Sequence, residues 1–326
     1  MFKGIRRRMK GLDFLNSLEQ WNGQGGFCPE NIKKAMNYLD NPQDKIASIH
    51  VAGTNGKGSV SAALSSILAK EGYRVGLNIS PHLVRINERI VVDGYSINNE
   101  LLNEAALELK DCLKKLKITL TYHEALTAIA FIVYEWKKLD WIVVEVGLGG
   151  RLDASNILNC PKACVISSIG LDHQDILGPT KAEIAKEKAG IIKKGSRLFC
   201  GRMDAESLKI FNDIAKSLGV ETSSWGVSYK AEIVAKERSN GYTMRYMDLK
   251  CNEALSFKPS LKGTFQRDNM ALAINVARSL NISPESCIKG VQEVFWPARF
   301  EKLDIGATSV ILDCAHNIDG INALAE

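Results

Sequence analysis

The chain has 326 residues and a mass of 35.9 kDa, which exceeds the size at which a single hydrophobic core usually stops growing. This length predicts at least one large domain and a smaller piece. The net charge of +5 is too weak and too dispersed to indicate a nucleic-acid partner, and it would suit anionic small molecules equally well.

We expect no signal peptide in the N-terminal stretch. MFKGIRRRMK is basic, but Asp13, Asn16 and Glu19 interrupt the next ten residues, which therefore cannot serve as the apolar core of a signal peptide. No stretch approaches the roughly 20 apolar residues of a membrane span. The eight cysteines are scattered, and no histidine stands at zinc-finger spacing from them, which is typical of reduced structural thiols. We therefore expect a soluble cytoplasmic protein without a membrane partner.

Short apolar or β-branched runs alternate with helical patterns. The strand-like runs are, in chain order, IASIHVAG, YRVGLNIS, WIVVEVGLGG, ACVISSIG and SRLFCG. Thr121 with Glu124, and Thr180 with Glu183, have the spacing of a capping box and mark two helix starts. The helix after Thr121 is apolar on nearly every face, which predicts that it is buried. This alternation of strand-like and helical stretches predicts an α/β fold, in which a mostly parallel sheet carries helices on both faces.

The pattern then changes to alternating residues around Asn240 and Gly241, which is a two-residue hairpin signal. It predicts a small antiparallel patch appended to the main sheet. The helix FQRDNMALAINVARSL and a short helix near Pro284 follow. After them, RFEKLDIGATSVILDCAHN predicts two strands joined at Gly306, and the last residues begin another helix.

We place a domain boundary at the pair Trp296-Pro297. Residues 1–296 are predicted to form the main domain, and residues 297–326 the start of a second α/β domain. Domains typically need on the order of 50 residues or more. We therefore expect the second domain to be cut short at Glu326.

The stretch IHVAGTNGKGSVSAAL, residues 49–64, predicts a buried strand that enters a glycine-rich turn and then a helix. Backbone N–H groups at a helix N-terminus form an anion site, and Lys57 adds a full positive charge, so phosphate is the natural occupant. The loop departs from the strict Walker sequence, because Val51 stands five residues before Gly56 and Gly58 separates Lys57 from Ser59. A turn that is rich in glycine for tightness alone is the alternative.

Five motifs follow one another along the chain, namely HVAGTNGKGS, SPHLVRINERI, EVGLGGRLDASN, SSIGLDHQDILG and IAKEKAGIIK. Together they resemble the successive signatures of the folylpolyglutamate synthase and dihydrofolate synthase family, a branch of the Mur ligase superfamily. NPQDK before the loop, and WPARFE and DCAHN after the boundary, extend the resemblance from about Leu12 to the end of the chain. It implies a Mur-ligase-like P-loop ATPase domain over residues 1–296 and the start of a C-terminal glutamate-ligase domain over 297–326.

The activity that the resemblance implies is an ATP-dependent amide ligase. The substrate carboxylate takes the γ-phosphoryl group, and the amine of glutamate attacks the acyl phosphate. The acceptor would be dihydropteroate, a tetrahydrofolate (poly)glutamate, or both. An ATP-binding protein with little or no ligase activity is the alternative if the second domain is incomplete. A P-loop kinase or ATPase is disfavoured, because SPHLVRINERI and EKAG have no evident task in a simple phosphotransferase. A Mur-type peptidoglycan ligase would require a UDP-sugar substrate.

The resemblance implies nucleotide contacts on both sides of the boundary. They are Gly53, Thr54, Asn55, Gly56, Lys57, Gly58 and Ser59 in the loop, and Asn269, Arg299 and Asp313 beyond it. An amide suits the base or ribose, a guanidinium suits phosphate, and a carboxylate suits ribose hydroxyls. His316 is expected to face the cleft beside Asp313. Ile318 replaces the proline usually found after HN in the family.

The metal ligands implied by the resemblance are Ser80, Glu145 and His173, which would hold two Mg²⁺ ions that bridge the phosphates. Magnesium prefers oxygen ligands, and ligands collect where parallel strands end. Histidine is an unusual ligand for this hard ion, so His173 depends on the family match. Without the family, Glu145 could be a buried acid, Ser80 a turn residue and His173 a loop histidine.

Catalytic roles are implied for Lys57, His173 and Lys188. Family members carry a carbamylated lysine at the position of Lys188, and this chemistry needs a neutral amine and hence a lowered pKa. A solvated helix charge is the alternative for Lys188. Lys186 lies two residues earlier and is expected to point elsewhere.

Two segments are implied to line a pterin pocket. They comprise Thr121, Tyr122, His123 and Glu124, and Leu152, Asp153 and Ala154. His123 stands where phenylalanine is common in the family, which changes the available stacking and charge. The loop NGQGGF near Asn22 matches another pterin-contacting loop only loosely. Small molecules are the expected partners, namely pterin or folate, L-glutamate and ATP, and we expect a monomer.

Overall fold

The structure is a computed structural model that describes residues 10–19, 29–236, 241–306 and 308–325. Its first half contains helices α1 (residues 10–16), α2 (Glu30–Tyr38), α3 (Lys57–Lys70), α4 (Asn99–Leu116) and α5 (Tyr122–Trp136), and strands β1 (Ala47–Ala52), β2 (Val75–Asn78), β3 (Ile90–Val92), β4 (Tyr95–Ser96) and β5 (Trp141–Glu145). Short 3₁₀ helices span Pro42–Asp44, Ile86–Arg89 and Ala154–Ile157.

The second half continues with the same alternation. It contains β6 (Ala163–Ile166), α6 (Gln174–Leu177), α7 (Lys181–Ala189), β7 (Arg197–Cys200), α8 (Ala205–Leu218) and β8 (Glu221–Ser224). The strands β9 (Tyr229–Lys236), β10 (Tyr242–Asp248) and β11 (Ala254–Phe257) and the helices α9 (Gln266–Ser279) and α10 (Pro284–Glu293) follow. The last elements are β12 (Glu301–Ile305), β13 (Thr308–Leu312) and α11 (Ile318–Ala325).

The main sheet has eight strands in the order β4-β3-β2-β5-β1-β6-β7-β8. The strands β1, β2 and β5 to β8 are parallel, whereas β3 and β4 form an antiparallel edge. The predicted α/β fold with a mostly parallel sheet is confirmed. The sequence pattern does not mark β3, β4 or β8, because these edge strands are too short or too polar to show a periodicity.

Helices cover both faces because side chains alternate along each strand. Val143 of β5 belongs to the core under α3, α9 and α10, while Ile142 and Val144 belong to the core with α2, α4 and α5. The helices α7 and α8 cover this second face farther along the sheet. The helix α5 is buried at every position from Ala125 to Tyr134, as its apolar pattern predicts, and both predicted capping boxes are present.

The antiparallel patch is a separate sheet rather than an extension of the main one. Its strand order is β11-β10-β9, and Tyr229, Met244 and Tyr246 pack in the same core as Met270 of α9. The Tyr229 hydroxyl donates a hydrogen bond of 3.0 Å to the Cys200 carbonyl of β7. The predicted antiparallel patch is present, and it is attached to the main sheet through shared core side chains and α9 rather than through backbone pairing. The predicted β9–β10 pairing is present, and Asn240 of its turn lies outside the described residues.

The chain after Trp296 forms an antiparallel hairpin and a helix. The hairpin pairs Glu301 with Leu312 and Ile305 with Thr308, and Gly306 begins its turn, as the sequence predicts. The helix α11 then runs back toward the carboxyl ends of the main strands, where its Asp319 lies near Gly170. This return brings the chain after the boundary to the glycine-rich loop.

Candidate active site

The glycine-rich loop connects the end of β1 to α3, and its conformation requires glycine at two positions. Gly53 has a φ of 148°, and a Cβ there would lie 1.9 Å from Ser167 Oγ. Gly56 has a φ of 83°, and its Cβ would lie 2.3 Å from Asn269 Oδ1. L side chains rarely adopt these backbone conformations, and neither position has room for one. The glycines thus serve both the turn and the close approach of α9.

The segment that follows strand β6 supports this loop. The N–H of Thr54 donates to the Ser168 carbonyl at 2.9 Å, and the N–H of Asn55 donates to Ser168 Oγ at 3.0 Å. The Lys57 ammonium donates to the carbonyls of Gly53 and Thr54, each at 3.2 Å, so it lies over the loop rather than in solvent. Its charge and the first N–H groups of α3 therefore face the same space, as an anion site requires.

A cleft of about 1040 Å³ extends from this loop. All ten residues predicted to contact nucleotide line it, together with the predicted metal and catalytic residues: Gly53, Thr54, Asn55, Gly56, Lys57, Gly58, Ser59, Ser80, Glu145, His173, Lys188, Asn269, Arg299 and Asp313. Residues distant in sequence thus meet at the carboxyl ends of the central strands, where open parallel sheets bind ligands.

The predicted metal ligands stand on three different strands or loops of this cleft. Glu145 ends β5 and is buried, and its Oε2 accepts a 3.3 Å hydrogen bond from the N–H of Ser80. Burial raises the pKa of the Glu145 carboxyl, and the charge of Lys57 opposes that shift. His173 has a φ of 49° and precedes α6, with its side chain half exposed.

This donor set fits a magnesium ion. A buried carboxylate that accepts one backbone N–H retains oxygen lone pairs for a hard cation, and a serine hydroxyl adds a second oxygen. The described ranges hold no group of three or more His, Cys, Asp or Glu side chains suited to a metal ion. The set therefore depends on the Ser80 hydroxyl joining Glu145 and His173.

Lys188 is buried in the cleft wall with an exposed fraction of 4%. Burial, assisted by the charge of Lys57, lowers the pKa of its amine to about 7. A solvated helix charge, the alternative for this residue, is therefore wrong, because α7 turns Lys188 inward. Lys186 on the same helix is exposed, as the spacing predicts.

Arg299 and Asp313 lie at the start and the end of the C-terminal hairpin. Arg299 Nη1 donates to the Ala298 carbonyl at 2.9 Å. The Asp313 carboxylate accepts hydrogen bonds of 2.8 Å from the N–H groups of Phe300 and Ala315, so it also fixes the local backbone. Both residues line the cleft, and the roles predicted for them toward nucleotide stay predictions.

Asn317 contacts the glycine-rich loop, and the sequence analysis does not single it out. Its Nδ2 donates to Asn55 Oδ1 at 3.0 Å and to Asp172 Oδ2 at 2.9 Å. Its Oδ1 accepts from Asn55 Nδ2 at 3.0 Å. The motif DCAHN contains this residue, but the sequence gives no sign that its amide reaches the glycine-rich loop.

Comparison with known proteins places the chain in a family. The family profile of the Mur ligase middle domain matches residues 51–277. The dihydrofolate synthase/folylpolyglutamate synthase of Bacillus subtilis is 38% identical over 309 residues, which cover 90% of this chain and 70% of that protein. The chain belongs to the folylpolyglutamate synthase and dihydrofolate synthase family. The resemblance given by the five motifs is confirmed.

Two further relatives of this family show the extent of the match. The folylpolyglutamate synthase of Lacticaseibacillus casei is 33% identical over 305 residues, which cover 90% of this chain and 70% of that protein. A solved complex of folylpolyglutamate synthase with AMPPCP and folate superimposes with a TM-score of 0.89 at 31% identity, over 97% of this chain and 78% of that chain. Members of the family are ATP-dependent ligases that form a carbon–nitrogen bond with glutamate.

The segments that the family resemblance assigns to pterin lie beside the cleft rather than in its lining. Thr121 and Glu124 form the capping box of α5. The Asp153 carboxylate is buried, and it accepts hydrogen bonds from the N–H groups of Gly147 and Leu148 at 3.1 and 3.0 Å. His123 Nε2 lies 3.4 Å from the same carboxylate. Asp153 therefore contacts the turn after β5, and Gly147 and Leu148 of that turn line the cleft.

A polar network continues from Asp153 into the core. Burial alone would raise the pKa of Asp153, but hydrogen bonds from His123, Ser155 and Leu148 hold it well below the usual range. Ser155 Oγ lies 2.8 Å from His50 Nε2 on β1. Burial lowers the pKa of His50 to about 4, so this histidine is neutral near pH 7. Tyr122, Leu152 and Ala154 flank the network, with Ala154 buried and the other two partly exposed.

The described residues contain no helix that is long and apolar enough to cross a membrane.

The seven cysteines among the described residues are free thiols. Burial raises the pKa of Cys164 to about 11 and that of Cys287 to about 12, so these thiols stay protonated near pH 7. Protonated, buried thiols are unreactive, as the scattered cysteine pattern predicts.

Proposed function

We propose that this chain is an ATP-dependent ligase that adds L-glutamate to dihydropteroate, to tetrahydrofolate (poly)glutamates, or to both, through an acyl phosphate. The observation that carries the proposal is the arrangement of the cleft, in which Lys57, Glu145 and Lys188 surround one space beside the glycine-rich loop. Membership of the family supports the same reaction. An ATP-binding protein without ligase activity is not favoured, because the named relatives are synthases.

The chemistry proceeds in two displacements. A substrate carboxylate oxygen attacks the γ-phosphorus of ATP, the bond to the β-phosphate oxygen breaks, and ADP leaves. The amine of glutamate then attacks the acyl carbon, loses a proton and expels inorganic phosphate. Phosphorylation is needed because a carboxylate has no good leaving group. The Lys57 ammonium and the N–H groups at the start of α3 neutralise the charge that develops on the phosphoryl oxygens.

Ser80, Glu145 and His173 would hold magnesium, with two ions expected. When bound, magnesium supplies positive charge to the phosphate oxygens and orients them. The buried position of Glu145 supports this role, because a partly desolvated carboxylate gains most from a cation. Among the described residues, the hydrogen bond from the Ser80 N–H holds the carboxylate at the end of β5.

Carbamylation of Lys188 would supply a further anion. In this step the neutral amine forms a nitrogen–carbon bond to CO₂ and releases a proton. A pKa of about 7 leaves a large fraction of the amine neutral near physiological pH, which supports the assignment. The negative group would then line the same cleft as Lys57 and the proposed metal ligands.

The remaining assignments follow from the family. Asn269, Arg299 and Asp313 would contact nucleotide, and the segments around Tyr122, His123 and Asp153 would contact the pterin. Residues 1–296 would form the ATP-binding domain and residues 297–326 the start of the glutamate-ligase domain. Action as a monomer in the cytoplasm, without a nucleic-acid or membrane partner, stays a prediction from the sequence.

The proposal is tested by product analysis. The protein is incubated with ATP, Mg²⁺ and L-glutamate, and with dihydropteroate or tetrahydrofolate in separate reactions. Mass spectrometry is expected to detect the glutamyl amide, together with ADP and inorganic phosphate. A stable phosphorylated acceptor would instead indicate a kinase. ATP consumption without an amide product from either acceptor would contradict the proposal.

A further inference from the structure

Arg89 lies at the antiparallel edge of the main sheet, beside the proposed metal ligands. It is the last residue before β3, and its carbonyl accepts hydrogen bonds from the Ile79 N–H at 3.1 Å and from Asn78 Nδ2 at 2.9 Å. Ile79 immediately precedes Ser80. The backbone of Arg89 is therefore fixed next to the residue that contacts Glu145.

The loop that carries Arg89 is held from within. The Glu88 carboxylate accepts hydrogen bonds from the N–H groups of Leu83 and Arg85, each at 2.7 Å, and from Val84 at 3.2 Å. These contacts close residues 83–88 into a compact turn. The position of the Arg89 side chain thus rests on a braced loop, as a binding residue requires.

The Arg89 guanidinium is partly buried but has no acidic partner within the described ranges. Its Nε donates to His82 Nδ1 at 2.9 Å, and no carboxylate of those residues forms an ion pair with it. A guanidinium has five N–H donors, and a desolvated cation without a counter-ion is costly. Such a cost is typical of a site that binds an anion.

Two side chains, Tyr122 and Glu145, act on the Arg89 guanidinium. Burial lowers the pKa of Arg89, and the Tyr122 hydroxyl and the Glu145 carboxylate are the groups whose charge opposes that shift. Tyr122 begins α5 and is partly buried, so its ring offers an apolar wall for an aromatic ligand. The Tyr122 hydroxyl and the buried Glu145 carboxylate are therefore near enough for their charge to act on the guanidinium.

The strand order shows where Arg89 lies relative to Glu145 and the phosphate loop. From the edge inward, the carboxyl ends of the strands present Arg89 before β3, Ser80 after β2, Glu145 on β5 and the Lys57 loop after β1. The anion site for phosphate and the free guanidinium are thus on opposite sides of Glu145. A carboxylate bound by Arg89 would face the phosphate across the proposed metal ligands.

We propose that Arg89 binds the carboxylate of the acceptor substrate, the group that receives the γ-phosphoryl. This inference rests on the proposed ligase function and adds a residue that recognises the reacting group. A guanidinium suits this task because its planar fork matches the two oxygens of a carboxylate and cannot lose its proton near pH 7. His82 sets the orientation of the fork through the Nε hydrogen bond.

The test pairs a change in the ligand with a change in the protein. Binding of dihydropteroate and of its neutral carboxamide is measured by calorimetry, in the presence of AMPPCP and Mg²⁺, for wild type, Arg89→Gln, Arg89→Lys and Arg85→Gln. Arg85 is the matched control, since it is an exposed arginine of the same loop. Thermal unfolding and AMPPCP affinity report whether each variant keeps its fold.

Wild type and Arg85→Gln are expected to bind the acid about tenfold or more tightly than the carboxamide, because the carboxamide lacks the charge-assisted hydrogen bond to Arg89. Arg89→Gln is expected to bind acid and amide within about twofold, and Arg89→Lys to lie between. An unchanged preference in Arg89→Gln, with AMPPCP affinity retained, would overturn the inference.

Steady-state kinetics distinguish the acceptor from glutamate, which also carries carboxylates. Arg89→Gln is expected to raise KM for the acceptor and leave KM for glutamate within about twofold of wild type. A rise confined to KM for glutamate would refute the assignment to the acceptor. If wild type forms no amide, the ligase proposal fails, whereas the binding comparison still decides the role of Arg89.

Discussion

The side-chain amides of Asn55 and Asn317 form two reciprocal hydrogen bonds of 3.0 Å, although 262 residues separate them. Asn55 belongs to the glycine-rich loop, and Asn317 lies after the C-terminal hairpin. The same Asn317 amide donates to Asp172, next to His173. One side chain thus connects the phosphate loop, the loop that carries a proposed metal ligand and the region beyond the proposed domain boundary.

This connection predicts that Asn317→Ala weakens the binding of an ATP analogue by about threefold to tenfold, because two hydrogen bonds to Asn55 of the loop and one to Asp172 are lost. Fluorescence titration with a labelled AMPPCP measures the change. Asn55→Ala and the double variant complete a double-mutant cycle. Losses that simply add in the double variant would show that the two amides act independently, contrary to the geometry.

Lys188 makes stability depend on pH. Its pKa is about 7 in the fold and near 10.5 in the unfolded chain, so the unfolded state binds more protons between these values. The free energy of unfolding is expected to rise with pH over this window, because below pH 7 the fold carries the full cost of burying a protonated amine. Lys188→Met should therefore be most stabilised relative to wild type near pH 6, and this difference should disappear toward pH 10.

Urea unfolding between pH 6 and 10 measures this dependence. Lys186→Met is the matched control, because Lys186 is exposed on the same helix. Equal pH profiles for Lys188→Met and wild type would contradict the burial of a neutral amine. A ¹³C NMR signal from bound ¹³CO₂ that is present in wild type and absent from Lys188→Met would support carbamylation.

His50 predicts a second dependence at acid pH. Its folded pKa of about 4 lies below the ordinary histidine value of 6.5, so stability is lost as pH falls through this interval. His50→Gln removes the titrating ring and is expected to flatten the slope between pH 4 and 6.5, while lowering stability at pH 7 because the packing and the Ser155 contact change. Unfolding curves for His316→Gln, whose ring is exposed, serve as the control. A slope equal to that of wild type in His50→Gln would exclude His50 as its source.

Gly290 allows a test of the packing under the phosphate loop. Replacing a helical glycine by alanine usually stabilises by about 1 kcal/mol. At Gly290, however, the added Cβ would lie 2.5 Å from Ile67 Cα of α3, and a rigid backbone cannot move away cheaply. Overpacking is expected to dominate, so Gly290→Ala should lose about 1–3 kcal/mol of unfolding free energy. The exposed neighbour variant Lys289→Ala should stay within about 0.5 kcal/mol of wild type, and increased stability of Gly290→Ala would refute the close helix contact.

The sequence predicts much of this fold because the central strands are long apolar runs and α5 is apolar on every face. The edge strands β3, β4 and β8 escape prediction, since their residues are few or partly solvated. The antiparallel patch shows a different limit. Alternation predicts its strands, but whether they join the main sheet depends on where α9 packs, which no local pattern records.

The residues of the candidate site could likewise be predicted only in part. Motifs locate the loop, Glu145 and His173, because each follows a recognisable strand. The burial of Lys188 could not be predicted from α7, whose charged composition is that of a solvated helix. Asn317 and Arg89 depend on contacts between segments distant in sequence, so their positions emerge only from the folded chain.

The reaction itself is tested most directly by isotope transfer. Dihydropteroate labelled with ¹⁸O in its carboxylate is incubated with ATP, Mg²⁺, L-glutamate and the protein, and the released inorganic phosphate is analysed by mass spectrometry. An acyl phosphate predicts that each amide bond formed transfers one ¹⁸O atom from the substrate to phosphate, and that Lys57→Ala abolishes this transfer. Amide formation with unlabelled phosphate would contradict the proposed mechanism.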